Sequence, residues 1–468
     1  MNFKIQLIVE GKETALDIAS LEKELNGPET LGLSLSEAKN ILQNLQQEIV
    51  GNQIEKALEK HAKCPDCKRS LSLKDRRTVK YRTLYGTLNV QNPRYYLCRK
   101  CHKSNSKIFL TPLADLLKDH TSPELSYLEA KWASLMSYGL TVDLLKDSFP
   151  IDEHLCIETV RKNTLRISEK LNNLLGEEKH VYAPPFAKKV ANVNKESTIV
   201  GLDGGYLRAW DNKKTNFELI AVKSIPKNHK PCVIGLVSSE DEKPKRRLLE
   251  MLKAQGIREN DKICFMSDGG ESLKNLQKYI SPNAQHILEW FHITMKITVL
   301  GQYLKGLGHV NPEQAAVAVK TLESIKWKLW HGKPLDALTK ILKLSDLSAA
   351  HAKAYSKYVG LIKHISEFFN YISNNVHIIA NYAKRWKEGK LISTAFVESL
   401  VNYFVSKRFC KKQQMQWSKK GAHLLIQVRA KVINNELRNI FKEWYKDFDM
   451  SQSEQEKLNL INLPKKAA

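Results

Sequence analysis

Two Cys-x-x-Cys pairs, Cys64-Pro65-Asp66-Cys67 and Cys98-Arg99-Lys100-Cys101, lie thirty residues apart. They constrain the fold of this chain more than any other feature. Each short turn can set two thiolates on one metal, and the residues between them read as a hairpin. Its strands are residues 78–85 and 88–90, joined at Gly86. A hairpin brings the two turns together, so that four sulfurs close a tetrahedron around Zn2+. The expectation is a zinc site of Cys64, Cys67, Cys98 and Cys101. Four thiolates leave no open position, so this metal is expected to hold structure rather than do chemistry. His61 and His102 flank the site as substitute ligands or as solvent-facing side chains. The other four of the eight cysteines, Cys156, Cys232, Cys264 and Cys410, read as buried thiols, because a chain of this length without a secretory signal does not call for a disulfide framework.

Charge comes next. Lys and Arg number 74 against 50 Asp and Glu, a formal net charge of +24 over 468 residues. Such an excess repels itself and favours a polyanionic partner, with nucleic acid first and a generally basic soluble protein as the alternative. A membrane surface is the weaker partner, since no basic amphipathic helix is flanked by exposed Trp or Phe. No apolar run reaches the roughly 18 residues of a membrane span, and the N-terminal apolar stretch is too short for a secretory signal. A cytoplasmic location is therefore expected.

Along the chain, residues 1–62 read as a strand (4–9) and a helix from about Ser34 to His61, capped by Ser34 or Ser36, a packing or association element. Residues 63–111 form the zinc module, whose Arg82, Arg94 and neighbouring basic residues are interleaved with tyrosines, a combination that suits nucleic acid. Residues 112–178 are helical. Ser122 and Pro123 start a helix ending at Tyr138–Gly139, Thr141 caps a second that Pro150 stops, and a third runs from 157 to 174 with Arg161 and Lys162 on a basic face. Two short helices before a basic one suggest a helix-turn-helix or any small bundle. Residues 179–196 read as a linker.

From residue 197 the pattern becomes strands: 197–205, 217–222 and 232–237, then a helix at 246–255, a strand at 263–266, a helix at 271–279 and a fifth strand at 285–292. This is the strand and helix order of a ribonuclease-H-like sheet, placed at residues 197–298. Asp203 lies inside an otherwise apolar strand and Asp268 at the mouth of one apolar on both faces. A carboxylate in such a place must be paired or bound to a metal. Both precede Gly-Gly, which leaves room for a bulky group. In the ribonuclease-H arrangement the first and fourth strands are adjacent, which would bring the two acids face to face. A turn Asp capping a loop is the alternative for each.

Residues 299–391 are helical without strands, with Trp327 and Trp330 read as core. Residues 392–468 follow as C-terminal helices and a basic tail. A helix from Ser393 or Thr394 buries Val397, Leu400, Val401 and Phe404, and turns Glu398 outward with Asn402 and Ser406. Glu398 is either a third acid delivered onto the sheet or an ordinary solvated helix Glu. Lys407, Arg408, Lys411 and Lys412 stand in a run of six basic residues with no acid (407–420), suited to holding phosphates.

Taken together, these residues resemble a bacterial insertion-sequence transposase of the DDE class, in the ISKra group, with kinship to the Mutator-like transposases. The resemblance covers nearly the whole chain. It rests on residues 31–39, the paired cysteines around residues 82–86 and 92–94, Leu202-Asp203-Gly204-Gly205, Ser267-Asp268-Gly269-Gly270, residues 286–293, Ala395-Phe396-Val397-Glu398-Ser399 and Gln414-Met415-Gln416-Trp417-Ser418.

The resemblance implies an α+β multidomain protein with a ribonuclease-H-like α/β catalytic domain and a large all-α insertion. Asp203, Asp268 and Glu398 would be the acidic triad, holding two Mg2+ (or Mn2+) ions about 3.5–4 Å apart for phosphoryl transfer. His292 and Glu289 would support it. The related motif usually reads Asp-x-x-His or Cys-x-x-His, and here Glu289 takes the first place. The implied partner is double-stranded DNA, both element ends and target, bound by at least a dimer. The competing class is a catalytically inactive or repurposed transposase acting as a zinc-containing DNA-binding protein. A structure-selective nuclease would cut without joining.

Overall fold

The computed structural model describes residues 1–448 other than 12, 14, 65, 99, 102–108, 115, 177–197, 213, 227–228, 258–260, 271–283, 310, 353–356, 394 and 411–414. The expected linker and the helix expected at 271–279 lie outside the described residues. About half of the described chain is helical, and strands form three sheets, so the protein is α+β. Two compact units divide it: residues 1–167 together with those from 435 on, and residues 168–434. No described helix is long and apolar enough to cross a membrane.

In the first unit, β1 (Asn2–Leu7) pairs antiparallel with β2 (Leu16–Glu22). Helix α1 (Leu35–His61) starts at the expected cap. The Glu37 N–H donates to Ser34 Oγ at 3.2 Å, and the Ser34 N–H donates to the Glu37 carboxylate at 2.8 Å. This reciprocal capping box satisfies two otherwise orphaned donors. Val50, Ile54 and Leu58 of α1 pack on Leu88 and Val90 of the hairpin formed by β3 (Leu73–Thr83) and β4 (Gly86–Tyr96). The hairpin is longer than its sequence pattern suggests, and β5 (Phe109–Leu110) adds a short third strand.

Helix α2 (Pro123–Leu135) begins at the expected Ser122 cap but stops before Tyr138. Ser137 breaks it there and caps α3 (Tyr138–Ser148), its Oγ accepting from the Leu140 N–H at 3.2 Å. Thr141 is therefore inside α3 rather than its cap, donating back to the Ser137 carbonyl at 2.9 Å. Helix α4 (Ile157–Leu174) follows. The last helix, α13 (Leu437–Trp444), belongs to this unit, with Phe441 edge-on to Tyr127 at 5.4 Å. The stretch read from sequence as one C-terminal piece (392–468) thus divides at Asn434.

The second unit is built on five strands in the spatial order β10-β9-β6-β7-β8. β6 (Thr198–Arg208), β7 (Asn216–Ile225) and β8 (Cys232–Leu236) form an antiparallel meander. β9 (Ile263–Ser267) runs parallel to β6, and β10 (Gln285–Leu288) parallel to β9. Leu248, Met251 and Leu252 of α5 (Pro244–Ala254) bury one face with Val200, Leu202, Val222 and Phe265. On the other face Gly201 lets a helix come close. A methyl group there would sit 2.2 Å from Val397 Cγ2.

A helical layer continues from the sheet: α6 (Trp290–Leu307), α7 (Pro312–Trp330), α8 (Pro334–Ala352), α9 (Lys357–Asn374) and α10 (Tyr382–Lys387). It shares one core from Met266 and Leu288 through Leu300, Leu329 and Phe368. Trp330 packs into this core, tilted against Trp290 and stacked on Tyr382, but Trp327 is half exposed, contrary to the reading of both as core. Ile325 and Leu329 take the inward positions of α7, and Trp327 falls on the opposite side. After α10 come α11 (Ala395–Leu400), a turn of π-helix (Val401–Ser406), a last α-turn (Lys407–Phe409) and α12 (Lys419–Ile433).

Candidate functional site

Strand register places the two aspartates. Gly201 of β6 is paired with Met266 of β9, so two residues further on Asp203 stands beside Asp268, just past the last residue of β9. The Gly204 N–H donates to Asp203 Oδ1 at 2.8 Å, and the Gly270 N–H donates to Asp268 Oδ1 at 2.9 Å. From the helical layer, the Tyr371 hydroxyl donates to the Asp268 carbonyl at 3.0 Å. Glu398 is exposed on α11, whose Val397 is fully buried against Gly201. Three acids separated by 65 and 130 residues in the chain are thereby brought to one end of the sheet.

Their charges feel one another. Burial raises the Asp203 carboxyl above its ordinary value, the charges of Asp268 and Glu398 raise it further, and the Gly204 N–H and His292 oppose the rise. Yet among the described residues the only set of three or more His, Cys, Asp or Glu ligand atoms lying within 4.8 Å of one another is the four cysteines. The three acids are neighbours, not a closed cage.

Glu289 and His292 do not lie in a strand as the sequence pattern suggests. β10 ends at Leu288, where Glu289 takes the extended N-cap conformation (φ −74°, ψ 142°) and α6 begins. Glu289 and His292 are then cap and third residue of one helix, three apart and on the same side. The buried Glu289 carboxylate lies against His292 Nδ1. This fixes the ring while its charge reaches Asp203.

Sequence reading missed Glu218 and Tyr371. Glu218 lies on β7 with its carboxylate over Gly204; a methyl group on Gly204 would meet Oε1 at 2.2 Å. Burial raises its pKa, with smaller contributions from Asp268 and Asp203. A carboxylate within a strand packed beside Asp203 was the available signal. Tyr371 sits in the insertion, where nothing in sequence points to Asp268. Its phenol is pushed up by burial and by the Asp268 charge.

In the first unit, Cys64, Cys67, Cys98 and Cys101 gather within 4.8 Å and could hold zinc. Cys64 is buried, with its N–H donating to the Arg69 carbonyl at 2.7 Å, and Lys68 takes a left-handed turn (φ 60°). Backbone N–H groups of Cys101 and Lys100 pull the Cys98 thiol down to about 6, which favours the thiolate that a metal requires. His61 is exposed with Nδ1 at 2.7 Å from the Ala57 carbonyl, and His102 lies outside the described residues. Of the single cysteines, Cys264 is buried, but Cys156 and Cys410 are exposed, at a helix start and a helix end, where side chains have no core to enter.

The basic residues divide as sharply. Arg94 is held by Asp75 through Nε at 2.6 Å. Arg161 and Lys162 both reach Glu158 on the same helix, at 3.1 and 3.8 Å. Arg82 is half-buried, its backbone N–H donating to the His120 carbonyl at 3.0 Å. Lys407 is exposed and lies over the Tyr403 ring at 5.5 Å. Arg408 is 3% exposed, its guanidinium 5.1 Å from the Trp417 ring, so it is a core cation rather than a phosphate ligand. Phe404 and Arg408, and Val405 and Phe409, are four residues apart and share the inward face of this helix. Lys411 and Lys412 lie outside the described residues. No protein-family model matches this chain, and no curated protein matches it either.

Proposed function

We propose that the protein is a DDE transposase that cleaves the ends of its insertion sequence and joins them to target DNA. The observation that carries this reading is the meeting of Asp203, Asp268 and Glu398 at one end of the sheet, where the charges of the latter two raise the carboxyl of the first. The sheet supports it. The first strand lies between the second and the fourth, the first three antiparallel and the last two parallel to the first, which is the ribonuclease-H-like order. The helices between the second and third acids match the expected insertion. The net charge of +24 supports a DNA partner, and double-stranded element ends and target DNA, bound by a homo-oligomer, complete the proposal.

The donor set fits a hard divalent cation: three carboxylates, half-buried or exposed, whose like charges raise the Asp203 carboxyl against the pull of the Gly204 N–H and His292. Asp203, Asp268 and Glu398 would hold Mg2+ or Mn2+, which when bound supplies Lewis acidity and an activated water. The chain's own contributions are separate. Glu289 fixes the His292 ring toward the acids, Tyr371 orders the turn after Asp268, and exposed Lys407 attracts the phosphate backbone. Hydrolysis of a phosphodiester at the element end frees a 3′-hydroxyl, which then displaces a 3′-oxygen from a target phosphodiester, so one bond forms as one breaks.

Cleavage and strand joining on a duplex carrying the element's terminal repeat test the proposal. Asp203→Ala and Asp268→Ala each should reduce cleavage by at least a factor of about 100–1000 with duplex binding retained. Unchanged cleavage removes the triad, and cleavage without joining makes the protein a nuclease. One observation favours the second reading, a zinc-containing DNA-binding protein without catalysis: the three acids are not gathered within 4.8 Å of one another. Retained duplex binding with no cleavage by the unaltered chain would select it.

A further inference from the structure

Beyond Asp203, β6 continues past the end of β9 and exposes every second residue. Tyr206, Arg208 and Trp210 point to solvent while Leu207 and Ala209 are buried. Tyr206 is 69% and Trp210 68% exposed. Single exposed aromatics need no explanation, but two flanking an arginine on one face of β6 and its continuation through the Ala209–Trp417 bridge are an organised surface. Successive members of the row stand about 7 Å apart, two strand residues.

The row is held rigidly. The Ala209 N–H donates to the Thr215 carbonyl at 3.1 Å on one side. On the other, the Trp417 N–H donates to the Arg208 carbonyl and the Trp210 N–H to the Trp417 carbonyl, both at 3.0 Å. Leu207 and Ala209 anchor it from beneath. Aromatic rings therefore project from a backbone fixed along both edges, and little side-chain freedom is lost when something stacks on them.

The surroundings select the partner. Arg208 lies between the rings, and Lys214 is exposed in the turn after β6; Asp211 and Glu218, the cross-strand partner of Tyr206, are the acids close by. Neighbouring exposed residues are polar rather than aliphatic: Asn212, Lys214, Thr215 and Asn216. Two rings flanking a cation match unpaired bases on a phosphate backbone.

We propose that Tyr206, Arg208 and Trp210 form a stacking platform for the unpaired bases of single-stranded DNA, on the face of β6 opposite to Asp203. The platform goes beyond the transposase reading and does not rest on it.

Fluorescence anisotropy of labelled oligothymidine with the full-length, zinc-loaded chain tests it, alongside a duplex of mixed sequence and without added Mg2+. Tyr206→Ala and Trp210→Ala each should weaken oligothymidine binding by about 5- to 150-fold, the loss of one base–aromatic stack, with duplex affinity changed by less than about twofold. Tyr206→Phe and Trp210→Phe should restore most of the affinity, because stacking needs only the ring. Arg208→Ala should reduce the slope of log affinity against log salt by about 0.7. Unchanged oligothymidine binding in both alanine variants overturns the platform. So does an equal loss on duplex, or a change in oligomeric state on sedimentation, which would make the face a contact between copies. Asp203→Asn separates the two readings: cleavage falls if the triad is right, while oligothymidine binding stays whether or not it is.

Discussion

The cysteine cluster and the acidic site are opposite solutions to collecting negative ligands. The four cysteines come from two turns at the foot of one hairpin and lie within 4.8 Å of one another. The three acids come from a central strand, the mouth of its neighbour and a helix beyond a long insertion. They approach closely enough to repel, without closing. Short sequence separation and a shared hairpin make a closed site cheap in chain entropy. Long separation leaves each acid tied to a different element, so that the site stays open on one side. A closed, all-thiolate site suits structure, and an open carboxylate site suits chemistry on a substrate that brings its own phosphate oxygens.

Breaking the closed site should have the larger effect on folding. Structural zinc contributes on the order of 10 kcal/mol in small metal modules. Cys64→Ser should abolish zinc retention and melt the hairpin region, seen as lost zinc by elemental analysis and as rapid amide exchange over residues 63–96. Full protection without metal would show that the hairpin core of Leu88, Val90, Leu113 and Leu117 suffices on its own.

A buried acid elsewhere sharpens what is special about Asp203. Glu129 on α2 is fully buried, accepts from Asn163 Nδ2 at 2.8 Å, and is pushed from 4.5 to about 7 by burial, against the smaller pull of that hydrogen bond and of Arg166 and Arg82. A carboxyl whose folded pKa is raised favours folding in its protonated form. Stability should therefore be flat below about pH 4.5, fall as pH rises to about 7, and be flat again above. Glu129→Gln should be neutral near pH 4.5 and stabilising by roughly 3 kcal/mol above pH 7, measured by denaturant unfolding at several pH values. Equal stabilisation at all pH values would mean that the side chain is ionised throughout. Divalent cation should leave this profile untouched, because no like charge contributes to it.

The position of Glu398 depends on close approach at Gly201. Gly201→Ala places a methyl group 2.2 Å from Val397 Cγ2, so α11 must shift. The expected cost is about 1–3 kcal/mol of stability together with slower cleavage at retained duplex binding. Loss of stability with full cleavage would separate α11 from the chemistry.

Much of this contrast is legible in sequence, and the failures share a cause. The cysteine spacing and the Ser122 cap are local signals, and each appears where its residues stand, while Ser34 rather than Ser36 caps α1. Arg408 illustrates what is not local: a basic run reads as surface, yet Arg408 lies four residues after buried Phe404 and its guanidinium meets Trp417 across the fold. Glu289 and His292 read as strand because the run before them is apolar, whereas the chain turns helical one residue after Leu288. Trp327 reads as core by residue type, although Ile325 and Leu329 already fill the inward side of α7. β2 was missed because its alternation is weak, and Tyr371 because its partner is a backbone carbonyl 103 residues away.

The most direct test of the acidic site is Mn2+ binding followed by electron paramagnetic resonance, using zinc-loaded full-length chain. Three carboxylates acting as one site should bind Mn2+ in the unaltered protein, and Asp203→Asn, Asp268→Asn and Glu398→Gln should each weaken that binding by tenfold or more. Equal Mn2+ affinity in the unaltered chain and all three variants would contradict it.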